Sequence, residues 1–181
     1  MYKVILFFFI SITNCFAFNF SNNANYKTCF TPGQDCTHDI TRAISRAKKQ
    51  ILMQAYSFTS IPIAKALVEA KQRGVSVQIL LDKSQERARN SMCYYLKKKG
   101  LKIKIDYKPA IAHNKVIIID QRKVITGSFN FTNQAQKRNA ENLLIVGDRD
   151  FAKKYIQNWN NRAGVSVSEA KYEMRKRNRK K

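Results

Sequence analysis

The sequence predicts an α/β protein, a layered α-β-α sandwich with a central mixed β-sheet. Two patterns point there: aliphatic runs of strand length alternate with amphipathic stretches of helical period, and the alternation fills most of the chain. Size agrees. The chain has 181 residues, 44% of them hydrophobic, which suits one domain with a real core and does not comfortably make two.

The elements follow in order. YKTCFTP (Tyr26 to Pro32) reads as a first strand stopped by Pro32 and Gly33. Thr37 or Asp39 then caps a helix on which Ile40, Ala43, Ile44 and Ala47 recur at helical spacing. QILMQAYSF (Gln50 to Phe58) is a buried strand, and SIPIAKALVEAKQRG a helix with Ser60 as N-cap, Pro62 in its first turn and Gly74 as its stop. VSVQILLD (Val75 to Asp82) is the next strand. A basic helical stretch runs to Lys99 and Gly100, and LKIKIDY alternates as a strand. The segment His113 to Asn130, HNKVIIIDQRKVITGSFN, reads as a hairpin. ENLLIVG (Glu141 to Gly147) is a last strand and DRDFAKKYIQNWNNRAG a closing helix.

The two ends of the chain differ from this core. Lys3 precedes the apolar run VILFFFISI, with small residues Cys15 and Ala17 at the −3 and −1 positions of a cut after Ala17. The run falls short of the ~20 apolar residues a bilayer span needs. Residues 1–17 are therefore expected to be a secretory signal peptide, and the mature protein to be secreted or periplasmic. Residues 18–170 form the one folded domain expected between the two ends. The last eleven residues, KYEMRKRNRKK, carry seven basic groups and no apolar period, which predicts a disordered basic tail over 171–181. Export permits a disulfide, and the short Cys29–Cys36 loop can close one, leaving one thiol over.

Charge narrows the partners. The sequence has 34 Lys and Arg against 12 Asp and Glu, a formal net of +22. That predicts attraction to polyanions, either nucleic acid or an acidic membrane surface, and says nothing about fold.

The hairpin carries the chemistry. Its middle is aliphatic, yet His113, Lys115, Ser128 and Asn130 stand at its ends. Residues two apart on a strand share a face. With Gln121–Arg122 as a two-residue turn, Lys115 opposes Ser128 and His113 opposes Asn130, so all four meet at one end. An imidazole, an ammonium, a hydroxyl and an amide suit a phosphate: one nucleophile or acid, and the rest charge and donors. Gly127 removes a side chain where a ligand approaches the backbone. No carboxylate cage, P-loop or His/Cys spacing calls for a metal, so no cofactor is expected.

These residues resemble a family. His113-x-Lys115-x4-Asp120 followed by GSFN is similar to the signature of the phospholipase D superfamily, most like its small single-motif members, which include secreted bacterial phospholipases D and a non-specific endonuclease. The likeness extends over QAYSFTSIPIAKAL, RGVSVQILLD and NFTNQAQKRNAEN. It implies that His113 is the catalytic histidine and that Lys115, Ser128 and Asn130 bind phosphate. Glu141 matches the carboxylate that hydrogen-bonds a catalytic histidine, and Asp120 the signature aspartate. Asp120 lies at the far end of the hairpin, so a structural role is expected for it.

The implied reaction goes through a phosphohistidine and needs two histidines. The chain has only His38 and His113, and His38, in CTHD, lacks companion Lys and Asn at motif spacing. A two-fold homodimer with the active site at its interface is therefore expected. The expected substrate is a phosphatidylcholine-type phospholipid, hydrolysed to phosphatidate and a free headgroup; the alternative is nucleic acid, cleaved without metal.

Overall fold

A computed structural model describes residues 19–166; the expected signal peptide, and the expected tail at 171–181, lie outside them. Seven strands form one sheet. They are β1 (Asn25–Thr31), β2 (Gln50–Ala55), β3 (Ser76–Asp82), β4 (Lys102–Asp106), β5 (Lys115–Ile119), β6 (Lys123–Gly127) and β7 (Glu141–Gly147), in the order β1-β7-β6-β5-β2-β3-β4. β2, β3 and β4 run parallel, while β5, β6, β7 and β1 join antiparallel, so the sheet is mixed as the sequence predicts.

Helices cover both faces, and the two cores show which. α1 (Cys36–Ser45), α2 (Ile61–Gln72), α3 (Cys93–Lys98) and α4 (Asn133–Lys137) bury Ile40, Ile44, Ile63, Leu67, Leu96 and Ala135 against the larger core, with Ile51, Met53, Ile79 and Ile117 from the sheet. Among the described residues α5 (Arg149–Val165) is the helix that covers the other face, setting Ala152, Trp159 and Ala163 on Leu52, Leu80, Val116 and Ile118. Alternate residues of β5 thus enter opposite cores, which is why Val116 to Ile119 are all buried. Trp159 also satisfies its ring N–H, donating to the Met53 carbonyl at 3.1 Å.

Several local details depart from expectation. The cap of α1 is Asp35, whose side chain accepts from the His38 amide at 2.9 Å; Thr37 and Asp39 lie inside the helix. Cys36 is drawn into a disulfide with Cys29, so the helix starts there, and Cys93 stays a buried thiol. β2 ends at Ala55 rather than Phe58, because Phe58 leaves the ladder to bridge Phe131. The basic stretch after β3 is broken into a 3-10 turn, Lys83–Glu86, capped by Asp82, and the short α3. Ser60, Pro62 and Gly74 mark α2 as expected, with Gly74 at φ 88° beyond its end.

The hairpin register is corrected by one residue. Ile119 pairs with Lys123, Ile118 with Val124 and Ile117 with Ile125, so the link is Asp120–Gln121–Arg122. Asp120 and Gln121 both take positive φ, 51° and 57°, and Arg122 N–H closes the turn on the Ile119 carbonyl at 3.1 Å. Aspartate tolerates that left-handed region better than most residues. The Asp120 carboxylate also accepts the backbone N–H groups of Lys48, Lys49 and Gln50 at 2.9, 2.7 and 3.0 Å. The turn is held one position earlier by that anchorage.

Asp120 thus ties the β5–β6 turn to the start of β2. Burial pushes its carboxyl upward, but the three N–H donors and the Lys49 charge outweigh that and hold it below the usual carboxylate range. A lowered folded-state value means stability present above the unfolded value, near pH 4, and lost as pH falls through the folded one. Asp120→Asn, which keeps the turn preference and removes the charge, is expected to cost about 2 kcal/mol in urea unfolding at pH 7. The gap to wild type should close as the pH falls below about 4.

Candidate active site

The polar groups gather at one edge of the sheet, where β2, β3 and β4 end and β5 and β7 begin. Lys115 opens β5, opposite Ala55 at the end of β2. It is 8% exposed, unusual for a lysine, and its burial is matched by partners. The ammonium donates to the His113 carbonyl at 2.9 Å and lies 3.0 Å from each His113 ring nitrogen; the tautomer decides which nitrogen accepts. It also sits 5.1 Å above the centre of the Tyr56 ring. Burial lowers the Lys115 pKa from that of an ordinary lysine, and the Glu141 carboxylate works against that fall.

His113 is exposed and lies just before β5, in a segment without strand pairing. Its ring packs against Tyr56 with centroids 4.4 Å apart. The Tyr56 backbone N–H donates to the Asn114 carbonyl at 2.9 Å, fixing the two segments to each other. The same connection is tied from below: the buried Asp82 carboxylate accepts the Ala112 N–H at 2.7 Å. Burial raises and these donors lower the Asp82 value, which ends below the usual range.

Ser128 and Glu141 form the other half. The Ser128 hydroxyl donates to Glu141 Oε2 at 2.6 Å and accepts from the Asn142 N–H at 3.0 Å. Asn139 Nδ2 donates to Glu141 Oε1 at 2.8 Å. Among the described residues of this chain, the carboxylate of Glu141 is held by Ser128 and Asn139 and not by His113, whose ring faces Lys115 and Tyr56.

The hairpin does not place the four groups on one strand face by simple opposition; a bulge and a crossing segment bring them round. Ser128 and Phe129 both donate backbone N–H groups to the Asn142 carbonyl, at 3.1 and 3.2 Å, where β6 leaves the ladder. The Phe131 carbonyl then accepts from Thr59 and Ser60, after β2. Since β5 lies between β6 and β2, residues 128–131 cross over the start of β5 and carry Asn130 over the edge where Lys115 and His113 stand. The Asn130 side-chain oxygen is buried there and makes no hydrogen bond among the described residues. An amide that the fold leaves uncommitted is suited to a ligand, and a flip exchanges its oxygen for a donor of the same shape.

Gly127 serves this bulge rather than a ligand. Its φ is +146°, and a Cβ there would stand 2.3 Å from the Asn142 carbonyl oxygen, so the strand β7 backbone occupies the space. His38 is exposed in the first turn of α1, after the end of β1, with its own backbone N–H on Asp35. Among the described residues, no three His, Cys, Asp or Glu side chains gather as metal ligands would.

Two residues of the site escape sequence reasoning. Tyr56 is hidden inside an aliphatic run, where an aromatic reads as core; only the break in β2 turns it toward His113. Asn139 is one of several polar residues after α4, and its role appears only when β7 places Glu141 within reach.

An exposed imidazole beside a buried ammonium, with a hydroxyl–carboxylate pair and an unused amide on the same rim, can attack and stabilise a tetrahedral anionic ester. That defines the class. Comparison with known proteins agrees: residues 40–163 match the family model described as "Cardiolipin synthase, PLD-like domain". A Rickettsia prowazekii protein named phospholipase D is 44% identical over 92% of this chain and 87% of its own length. A human protein named mitochondrial cardiolipin hydrolase is 30% identical over 69% of this chain, which spans half of it. Among solved structures, the phospholipase D family member Nuc of Salmonella typhimurium superposes with a TM-score of 0.75 at 36% identity, covering 79% of this chain and 96% of that one. NucT from Helicobacter pylori gives 0.74 at 26%, covering 80% of this chain and 99% of that one. The chain belongs to the phospholipase D superfamily and is a phosphodiester hydrolase.

Because Glu141 holds the Lys115 pKa up, Glu141→Gln is expected to let it fall further. The alkaline limb of the pH–rate profile should then move to lower pH. For Tyr56, the ring rather than the hydroxyl touches His113 and Lys115. Tyr56→Phe should keep kcat within about threefold, while Tyr56→Leu should lose roughly 10- to 100-fold in kcat with little change in KM.

Proposed function

We propose that the protein is an exported phospholipase D, which hydrolyses phosphatidylcholine-type phospholipids to phosphatidate and a free headgroup through a phosphohistidine at His113. The observation that carries the reading is the Lys115 ammonium, buried beside the exposed His113 ring and within the field of Glu141. A cation kept dry at the mouth of a site is worth more to a phosphoryl oxygen than one in water.

In the first displacement a ring nitrogen of His113 bonds to phosphorus and the bond from phosphorus to the headgroup oxygen breaks. A second, protonated imidazole gives that oxygen its proton. In the second displacement water bonds to phosphorus, its proton returns to the second imidazole, and the P–N bond breaks. Lys115 and Asn130 stabilise the charge on the equatorial oxygens. Ser128 holds Glu141, and Glu141 sustains the Lys115 charge.

The second imidazole comes from His113 of another copy, in a two-fold homodimer, since His38 has no polar companions of the kind His113 has. In that assembly Glu141, held by Ser128 and Asn139, accepts a further hydrogen bond from the histidine of the other subunit. Export rests on the leader-like residues 1–17, cleaved near Ala17, and the Cys29–Cys36 disulfide supports an oxidising compartment. The names of the Rickettsia relatives favour lipid as substrate. The net charge of +22 favours the second reading, a metal-independent endonuclease.

One preparation assayed on phosphatidylcholine and on plasmid DNA, with EDTA in both, separates the two. Choline release without nicking is expected; nicking alone would transfer the site to nucleic acid. His113→Ala should bring either activity to background, and His38→Ala should leave it within about threefold. A wild-type enzyme active as a monomer by light scattering, with His38→Ala inactive, would remove the dimer.

A further inference from the structure

Three loops leave the active edge of the sheet next to His113, and they differ from the rest of the surface. Among the described residues seven large apolar side chains are well exposed, and three of them stand here: Ile61 (57%) after β2, Tyr94 (76%) after β3 and Ile111 (56%) after β4. Because β2, β3 and β4 are parallel and β5 is antiparallel to β2, all three share the edge on which His113 lies. Hydrogen bonds lace the loops into one rim. The Met92 N–H donates to the Phe58 carbonyl, the Phe58 N–H to the Gln85 side chain, and the Lys83 ammonium to the Pro109 carbonyl.

The rim is also one-sided in charge. Arg87, Arg89 and Lys108 are exposed on it, and their side chains have no ion-pair or hydrogen-bond partner among the described residues. The three carboxylates of these loops are all engaged inward. Glu86 accepts from the Tyr107 hydroxyl, Asp82 from the Ala112 and Ser84 N–H groups, and Asp106 from Arg162 Nε and Nη2. A raised apolar residue within a field of unpaired cations is the composition that seats a protein on an anionic bilayer: cations at the headgroups, apolar tips below them.

We propose that this rim, Ile61, Tyr94 and Ile111 with Arg87, Arg89 and Lys108, is an interfacial docking surface that seats the enzyme on anionic lipid bilayers with His113 facing the headgroups. The proposal rests on the phospholipid reading above. It accounts for access to a substrate that lies in a bilayer surface. The occupant is a bilayer because apolar and cationic groups stand together. A polynucleotide would use the cations and leave Ile61, Ile111 and much of Tyr94 in water.

The test uses the full chain and two independent variants, Arg87→Glu/Arg89→Glu and Tyr94→Ser/Ile111→Ser. A third, Arg42→Glu/Arg46→Glu, makes the same charge change at the opposite edge, where α1 ends near the start of β2. Partitioning onto vesicles of phosphatidylcholine with phosphatidylglycerol is read by flotation, and turnover on a short-chain phosphatidylcholine below its micelle concentration. Both rim variants should bind vesicles about tenfold more weakly or worse, the first through reversed charge at the headgroups and the second through lost apolar insertion. Turnover of monomeric lipid should stay within about twofold, because no rim residue touches the reacting groups. The opposite-edge variant should bind nearly as wild type.

Equal losses on vesicles and monomeric lipid would overturn the proposal as a folding effect. Equal weakening by the opposite-edge variant would reduce it to net charge. A fall in molecular mass of a rim variant would assign the surface to a second copy of the chain, and lost plasmid binding with vesicle binding intact would assign it to nucleic acid. Failure of the phospholipid reading itself shows separately, as wild-type inactivity on monomeric lipid, since flotation reads docking without turnover.

Discussion

A buried ammonium sets the terms of this molecule. Lys115 begins a strand whose every residue is buried, and an ion removed from water costs several kcal/mol unless its surroundings answer it. The answer here comes from four places: the His113 carbonyl, the His113 ring, the face of Tyr56 and the field of Glu141. Those groups belong to three separate parts of the chain. Keeping the charge therefore requires β2, β5 and β7 to end at a common edge, and the mixed sheet does that.

The antiparallel half of the sheet is the means. Parallel strands alone would send each connection back across a helix and give the edge only one loop per strand. Inserting the β5–β6–β7 meander beside β2 brings β5 and β7 to the edge by their first residues and β2 by its last. Lys115, Glu141 and Tyr56 then stand at element termini, where backbone geometry is fixed by the ladder and side chains still reach solvent. The bulge at Gly127–Ser128 and the crossing of residues 128–131 carry the chain over the start of β5.

At the opposite edge the same hairpin is pinned by Asp120. Its carboxylate gathers three backbone N–H groups at the start of β2, tying the β5–β6 turn to the strand beside it. The signature aspartate thus acts on the site from the far end of the strand, through register. A shift of one residue would exchange the odd residues of β5, which fill the larger core, for the even ones that meet α5.

Much of the fold is legible in the chain because it depends on local pattern. β7 falls on the residues its aliphatic run marks, and Ser60, Pro62 and Gly74 bracket α2, since capping and breaking act within a turn of where they occur. The two short features around the site, the 3-10 turn at Lys83–Glu86 and α4, are too brief to show a period. The turn at Asp120–Gln121 lies beyond local preference for a different reason: a distant trio of backbone donors holds it.

Residue types at the edge, the aliphatic strands, the excess of positive charge and the matching of His113, Lys115, Ser128, Asn130 and Glu141 to one chemistry are properties of the sequence by itself. What tertiary structure decided is how those groups meet. It gave Ser128 rather than His113 to Glu141, turned Tyr56 from apparent core to the floor of the site, and spent Gly127 on a carbonyl from β7. The physical reason is range: propensity and period speak for neighbours along the chain, whereas a register, a bulge and a shared carboxylate are settled between strands far apart in it.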